Sequence, residues 1–506
     1  MTALYASAEI RRIEQAAQTA LPAYTLMQRA GQSAADVALR LLTGSPHKAR
    51  ILVLVGPGNN GGDALEAATI LTQAGADVVA LLQAEVNKLP PDAANALARA
   101  TRAGVHMMPP EQFAIIDSIA WTLVIDGLLG IGLTRPLDGP LRSLVATINT
   151  LSCLVLALDV PSGLNADTGM VVGPDGIAIV ADHTVTFIGD KTGLHTGDGP
   201  DYAGQVTVAG LGLPENSSVP ARSWLNSSDL FARNLQPRAR NSHKGSFGSV
   251  AVIGGAEGMA GAPILAGRAA AKSGAGKVFI GFLDAAPAYD SGQPELMCRR
   301  AADLDLTSVT LVVGTGLGAS QTAHDLLVKT LMAPGHLLLD ADALNLIAVE
   351  PALQQLVAQR RHSGLATVMT PHPLEAARLL GISTIEIQSD RLAAARRLAQ
   401  HFNAVVVLKG ASSIIARPDG SAVINPTGNP ALATGGSGDV LSGICGALLA
   451  QGWSDWYAAL GAVWLHGSAA DLLVSQGCGP IGMTAGELIP AVRSLLNELV
   501  DSQSAS

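Results

Sequence analysis

Three segments gather residue types that can hold cations, move protons or cradle phosphate. The first, VLVGPGNNGGDAL (Val53–Leu65), packs Asn59, Asn60 and Asp63 into a glycine-rich turn between a β-branched run and an Ala-rich one. Gly56, Gly58 and Gly61 match GxGxxG, the turn that seats a dinucleotide pyrophosphate on a helix N-terminus. Two amides and a carboxylate are an unusual filling for a pyrophosphate cradle and suit a polar ligand or a cation. The next run, Val78–Leu82, has no clean acidic residue at its end for a ribose, Glu85 being the nearest. A dehydrogenase is therefore the weaker reading of this turn.

Two more strand-end acids follow. VIDGLLGIGLTRP ends a run at Asp126, and LALDVPSGLNADTG ends another at Asp159, with Ser162 and Gly163 just beyond. One such Asp is ordinarily a helix cap. Three acidic strand ends, each beside glycines, point to a shared site where open α/β sheets bind ligands. In the second half, ATGGSGDVLSGICGALLAQG (Ala433–Gly452) runs a glycine turn straight into a long helix. The Gly435–Gly438 amides would make an anion hole for a transferring phosphoryl group, with Asp439 at its mouth to take a proton. Standing alone, Asp439 reads equally well as a cap of its own helix.

The elements that must position these groups are short apolar runs alternating with longer Ala-rich stretches: Ile51–Val55, Val78–Leu82, Leu123–Asp126, Leu154–Val160, Val250–Ile253, Leu311–Val313, His336–Asp340 and Val405–Leu408. Continuously apolar strands separated by helices require a mostly parallel sheet covered on both faces, an α/β fold in three layers, helix–sheet–helix. A chain of 506 residues calls for two such domains. The stretch Leu213–Ser246, rich in Pro, Ser, Asn and Arg, reads as linker and places the boundary. The expected domains are 1–215 and 226–506, without an internal repeat. Near the second anion hole, VVLKGASSIIA (Val406–Ala416) gives a strand, a KGA turn and a short hairpin before the GSGD helix. SGAGKV (Ser273–Val278) lacks the residues of a Walker A loop, which excludes a P-loop NTPase.

Bulk properties narrow the partners. A formal charge of −9 offers no basic patch for nucleic acid. Cys153, Cys298, Cys445 and Cys478 stand far apart, with neither zinc nor disulfide spacing, which suits a reducing cytoplasm. The N-terminus reads as the start of an amphipathic helix and not as a signal peptide. No uncharged apolar run reaches bilayer length, so no membrane partner is expected. A cytoplasmic protein is the resulting expectation, and a homo-oligomer is expected besides.

NNGGD, DxLLGxGLxRP and DVPSGLNADTG, in this order and spacing, resemble the YjeF N-terminal family of NAD(P)HX epimerases over about the first 210 residues, a Rossmann-like fold. The resemblance implies that Asn59, Asn60, Gly61, Gly62 and Asp63, together with Gly130, Ile131, Gly132, Leu133, Thr134, Arg135 and Pro136, bind the hydrated dinucleotide. It implies that Asn60, Asp126 and Ser162 ligate K+, a hard-oxygen set suited to such a cation. It makes Asp159 a substrate-contacting acid/base and Lys191 a catalytic lysine near the same site. Ala64 and Thr69 stand where the family pattern has Gly and Arg, and Asn165 where SGLD is commoner.

The second half resembles the ribokinase-like ADP/ATP-dependent NAD(P)H-hydrate dehydratases. The residues that carry this are HKGSFGSVAVIGG, PELM, VVGTGLG, LDADALN, TPHPLEAARLL and the GSGD helix. The resemblance implies that Ala262, Gly318 and His372 contact the hydrated dinucleotide. It assigns the adenine nucleotide to Lys409, Gly410, Ala411, Ser412, Ser413 and Gly438, catalysis and substrate contact to Asp439, and a Mg2+ ion to the nucleotide site. Leu374, Ala431-Leu432 and Ser437 depart from the family pattern without removing a group with a chemical role. The implied substrates are NADHX, NADPHX and ADP or ATP. The rival reading is a vitamin or sugar kinase joined to a non-catalytic N-terminal binding domain.

Overall fold

A computed structural model describes residues 2–214 and 219–504. The expected domain end at residue 215 and the chain end at 505–506 lie outside them. The chain divides into two compact units, Thr2–Arg222 and Ser223–Ser506.

In the first unit, seven parallel strands run in the order His106–Met108, Asp77–Leu82, Arg50–Val55, Leu123–Gly127, Leu154–Leu158, His183–Phe187, Gln205–Ala209. The apolar runs form buried central strands because both faces are covered. Ile51, Val53 and Val55 enter one core with helices Thr25–Leu41, Asn59–Gln73 and Pro91–Arg102. Leu52 and Leu54 enter the other with helix Gly139–Ile148. From Arg50–Val55 the chain first winds outward to one edge. It then returns at Leu123–Gly127 to wind toward the other, so the switch point lies between the turns that follow these two strands. A helix covers the first residues only from Ser7; Ala3–Tyr5 is a strand paired in parallel with Asp190–Lys191.

Two strands are shorter than the apolar pattern predicts. Leu154–Leu158 stops because Asp159 adopts the left-handed backbone, φ 66°, which no strand continues. Leu337–Leu339 stops because Asp340 becomes the N-cap of helix Ala341–Val349.

The second unit holds its sheet in the order Met297–Arg300, Lys277–Phe282, Ser249–Gly254, Thr310–Val313, Leu337–Leu339, Thr367–Met369, Val405–Leu408, then the hairpin strands Ile414–Ala416 and Ala422–Ile424. Only the pairings involving Ile414–Ala416 are antiparallel. The predicted linker Leu213–Ser246 is corrected here. Ser223–Leu225 inside it pairs with Ala422–Ile424, and Phe231 is fully buried in the core. The polar composition hid Trp224, Phe231 and Leu235, which join the core. Val250, Val252 and Val312 pack with helices Gly261–Lys272, Ser437–Ala450 and Asp455–Ser475, while Ala251, Ile253, Leu311 and Val313 are buried on the opposite face.

Helix Asp455–Ser475 alone among the described residues is long and apolar enough to span a bilayer by length and composition, and 61% of that window is buried inside the protein. Its Asp471 accepts from Gly428 N and Asn429 Nδ2 at 2.8 and 2.9 Å, a polar anchor that a core helix uses to hold a loop.

Candidate active sites

The turn after Arg50–Val55 makes a close approach that only glycine permits. A Cβ at Gly56 would lie 1.7 Å from Leu128 O, so the NNGGD turn and the loop after Asp126 meet directly at the switch point. Beside them opens a cavity of about 780 Å³. Asn59, Asn60, Asp63, Asp159 and the whole Gly130–Pro136 loop line it. Gly61 and Gly62 do not: they are buried beneath, where Cβ atoms would lie 2.1 Å from Gly56 O and 2.4 Å from Met27 Cε. Their part is to let the helix start sit close, not to face a ligand.

Asn60 lines this cavity, whereas Asp126 and Ser162, the other two expected cation ligands, do not; the three supply a set of hard oxygens. Asp126 is fully buried; its Oδ1 accepts from Ser162 Oγ at 2.7 Å and Leu128 N at 3.1 Å, and its Oδ2 from Ser162 N at 2.8 Å. Burial lifts the Asp126 carboxyl to about 6, against the hydrogen bonds from Ser162 and Leu128. Asn60 donates its amide to Leu158 O at 3.2 Å, while its buried Oδ1 has no hydrogen-bond partner. An orphaned buried acceptor costs free energy unless something else satisfies it, and a cation bound beside Asp126 and Ser162 would do so. The residues present therefore fit K+.

Asp159 carries the other chemistry. Its left-handed φ is costly for a side chain larger than glycine and is over-determined by its surroundings. Asp159 N donates to Val185 O, and its Oδ1 receives Lys191 Nζ at 2.5 Å. Lys191 is fully buried and spends a second proton on Phe187 O at 2.7 Å, so it stands behind the carboxylate, not in the cavity wall.

The departures from the family pattern have local accounts. Ala64 fits because its neighbour is Gly127, where a Cβ would lie 2.4 Å from the Ala64 methyl. Thr69 is buried in its helix and bonds Leu65 O at 2.9 Å. Asn165 Oδ1 accepts from Asp167 N and Thr168 N, the turn-closing work that Asp would do equally well. Sequence reasoning missed Arg11, Glu14 and Asp92, which also line the cavity.

In the second unit, the predicted groups lie beyond the carboxyl ends of the parallel strands. The helix Ser437–Ala450 starts from Gly436 with φ 89°, and Asp439 sits in its first turn. Burial first, then the neighbouring Asp340 charge, pushes Asp439 up to about 6. A negative charge at a helix N-terminus is otherwise favourable, so burial is the stronger influence here. His466 Nε2 pairs with Ser437 O at 2.9 Å, and burial lowers this imidazole to about 4, which keeps it neutral and fixed under the turn.

Lys409, expected to bind nucleotide, has its ammonium 2.6 Å from Asp340 Oδ1 and 3.9 Å from Glu375 Oε2. Burial works against the Lys409 charge, but Asp340, Glu375 and Asp439 outweigh it and hold the ammonium above its ordinary range. Asp340 Oδ2 in turn accepts from Ser442 Oγ at 2.7 Å, one turn along the Asp439 helix. Lys409 also lies 3.5 Å from where a Cβ on Gly438 would be, which ties the KGASS turn to the anion hole. In that turn Gly410 and Ser412 both have left-handed backbones, φ 138° and 51°, and Ser413 Oγ bonds Gly410 O at 3.0 Å.

His372 caps helix Pro373–Leu380 through Nδ1, accepting from Leu374 N and Glu375 N. His372 N in turn donates to Glu375 Oε2 at 2.7 Å, and burial raises the Glu375 carboxyl to about 7. Gly318 N donates to Asp342 Oδ2 at 2.8 Å, and Ala262 packs toward Gly316 in the same loop cluster. Asp340, Asp342, Glu375 and Ser442 were missing from the expected set, although the strand-end rule that found Asp126 and Asp159 applies to LDADALN as well.

Comparison with known proteins adds the following. The family described as YjeF-related protein N-terminus matches residues 23–193, and that described as NAD(P)H-hydrate dehydratase matches residues 250–493. The bifunctional NAD(P)H-hydrate repair enzyme Nnr of Coxiella burnetii is 40% identical over 98% of this chain and 100% of its own. The enzyme of the same name in Escherichia coli is 38% identical over 98% of this chain and 94% of its own. A solved ADP/ATP-dependent NAD(P)H-hydrate dehydratase from Bacillus subtilis, co-crystallised with ATP/Mg2+, is 31% identical and covers 55% of this chain and 98% of its own, with a TM-score of 0.47.

Proposed function

The chain belongs to the bifunctional NAD(P)H-hydrate repair enzymes, and on that premise we propose how its two sites divide the work. The first unit interconverts the R and S epimers of NADHX and NADPHX. The second dehydrates the S epimer to NAD(P)H at the expense of ADP or ATP, giving AMP or ADP and phosphate.

One observation carries the dehydratase assignment: a carboxyl group, Asp439, in the first turn of a helix that begins at a left-handed glycine, tuned to about 6 beside the Asp340–Lys409 pair. The hydrated ring carries a hydroxyl on the carbon next to nitrogen, and hydroxide is a poor leaving group at neutral pH. Asp439 takes the hydroxyl proton while the oxygen attacks the terminal phosphoryl group of the nucleotide. The amides of Gly435–Gly438 face the charge that develops in transfer. The ring nitrogen then expels phosphate, and loss of a proton from the adjacent carbon restores the double bond of NAD(P)H. Lys409, held by Asp340, supports the negative charge next to Gly438. Gly410–Ser413 provide the turn against which the nucleotide rests, and Ala262, Gly318 and His372 contribute the wall for the hydrated dinucleotide.

Among the described residues no group of three or more His, Cys, Asp or Glu side chains is gathered for a metal ion. Mg2+ characteristically arrives on nucleotide phosphates and keeps several waters, needing one or two carboxylates at most, and Asp340, Asp342 and Asp439 are the candidates here. When bound, it would neutralise phosphate charge.

A base must be ionised to act, so dehydratase kcat/KM is expected to rise with pH through about 6 and level off above it. A plot of kcat/KM against pH checks this; a rate independent of pH between 5 and 7 contradicts Asp439 as the base. Phosphate release distinguishes dehydration from a kinase, which would leave a stable phosphorylated product.

In the first unit we propose that Asn60, Asp126 and Ser162 hold K+, whose charge would steady the loops around the ring. Asp159 acts as acid/base at the hydroxyl-bearing ring carbon, and Lys191 donates to that carboxylate at 2.5 Å. Asn60→Ala removes the orphaned acceptor; it is expected to raise the K+ concentration for half-maximal epimerisation by about tenfold, the cost of losing one ligand of roughly 1.4 kcal/mol. Titration of epimerisation with KCl reads this directly, and an unchanged K+ requirement would remove Asn60 from the ligand set.

A further inference from the structure

Resting on the epimerase reading above, we propose that Glu14 is the second proton-transferring carboxyl group of the first unit's cavity, working with Asp159 on the hydroxyl-bearing ring carbon of the hydrated dinucleotide. Epimerisation at that carbon needs a route to both faces of the ring. A single carboxylate at one strand end reaches the ring from one wall, whereas this cavity is walled on another side by the helix Ser7–Ala20.

That helix is fixed, not adventitious. Ser7 N and Oγ both donate to Asp167 Oδ1, at 2.6 and 2.8 Å, and Arg11 Nη2 donates to Ile131 O at 3.3 Å, in the loop that lines the cavity. Ile10 and Ile13 are buried beneath it. Ile10, Arg11, Glu14 and Gln18 all line the cavity; Ile10, Glu14 and Gln18, spaced by four, share one helical face, and Arg11 stands at its margin. Glu14 is thus turned inward by the helix phase.

The Glu14 carboxyl has no structural employment that would explain it. Among the described residues it takes part in no ion pair, and it accepts a long hydrogen bond from Gln18 Nε2 at 3.4 Å. Burial raises its carboxyl above the ordinary range, and the Asp159 charge raises it further, against Lys191 and Arg11. The two carboxyl groups therefore feel each other across the cavity, one inclined to carry a proton and the other held by an ammonium. Asp63 lines the same cavity, and burial and the surrounding Asp159, Glu14, Glu66 and Asp92 hold it well above the ordinary range, so it is the rival proton donor that Glu14→Gln separates from Glu14.

The step balances as follows. Glu14 gives its proton to the ring hydroxyl, the C–O bond breaks, water leaves and the ring-nitrogen lone pair forms C=N. Water adds to the other face of that carbon, its oxygen forming the new C–O bond and its proton passing to Asp159. The carboxyl groups have exchanged protonation states, which is the arrangement the reverse epimerisation uses.

The test is epimer interconversion by the full chain without nucleotide, with K+ and purified R-NADPHX in water enriched in oxygen-18. Glu14→Gln is expected to lower kcat by on the order of 10²–10⁴-fold with KM nearly unchanged, and Glu14→Asp to recover part of the loss. Wild-type turnover should place one labelled oxygen in the product per epimerisation. Should Glu14→Gln not fold, Glu14→Asp must still slow kcat at unchanged KM. A Glu14→Gln chain as fast as wild type, a loss confined to KM, or retention of the original oxygen each overturns the assignment alone. A wild-type chain that interconverts nothing overturns the epimerase reading and the assignment with it.

Discussion

Asp439→Asn removes nucleotide-dependent recovery of NADPH, lowering dehydratase kcat by on the order of 10²–10⁴-fold, while epimer interconversion by the same chain continues at the wild-type rate. The substitution keeps the size of the side chain and its place in the first turn of Ser437–Ala450. Burial already opposes the charge at this position, so losing it does not cost the fold. Binding should persist, because the Gly435–Gly438 amides and the Lys409–Asp340 pair are untouched. The signature is a fall in kcat with KM for nucleotide nearly constant, and loss of the rise in rate through pH 6. Dehydration of S-NADPHX with ADP and with ATP measures it. A variant that keeps most of the wild-type kcat would remove Asp439 from the chemistry.

Asp159→Asn is expected to lower epimerisation by a comparable factor and leave dehydration of the S epimer intact. Asn is the informative choice because it tolerates φ 66° better than Ala, so the sharp turn after Leu158 survives. The substitution does leave the fully buried Lys191 ammonium with Phe187 O as its remaining partner, a loss of about 3–5 kcal/mol for a broken buried pair. Asp159→Asn combined with Lys191→Met relieves that cost. If epimerisation returns in the folded double variant, stability and not chemistry was lost, and Asp159 is not the acid/base. If it stays absent, Asp159 acts on the ring.

Much of this was readable from the chain alone, and the reasons differ by element. The NNGGD turn, the Asp126 and Asp159 strand ends and the GSGD helix are legible because a glycine turn between an apolar run and a helix has few alternatives. The α/β class follows from the same alternation. Ser223–Leu225 was not legible, since a three-residue strand among polar residues carries no period. The Lys409 ammonium lies 2.6 Å from Asp340, a contact that spacing does not reveal because the two residues are far apart in sequence. Glu14 is the clearest omission. The helix could be read from its spacing, but only packing shows that the face bearing Glu14 lines the same cavity as Asp159. Gly61 and Gly62 show the converse, a motif read as ligand-facing whose residues serve close approach beneath the turn.

The central claim is that one chain returns both epimers of a damaged cofactor to use. The direct measurement is absorbance at the NADPH band after mixing the full chain with an epimer mixture of NADPHX, K+, Mg2+ and ADP, and separately ATP. The account predicts recovery of nearly all the cofactor with stoichiometric phosphate. Recovery that halts at the S-epimer fraction would contradict the role given to the first unit. No NADPH with either nucleotide would contradict the account as a whole.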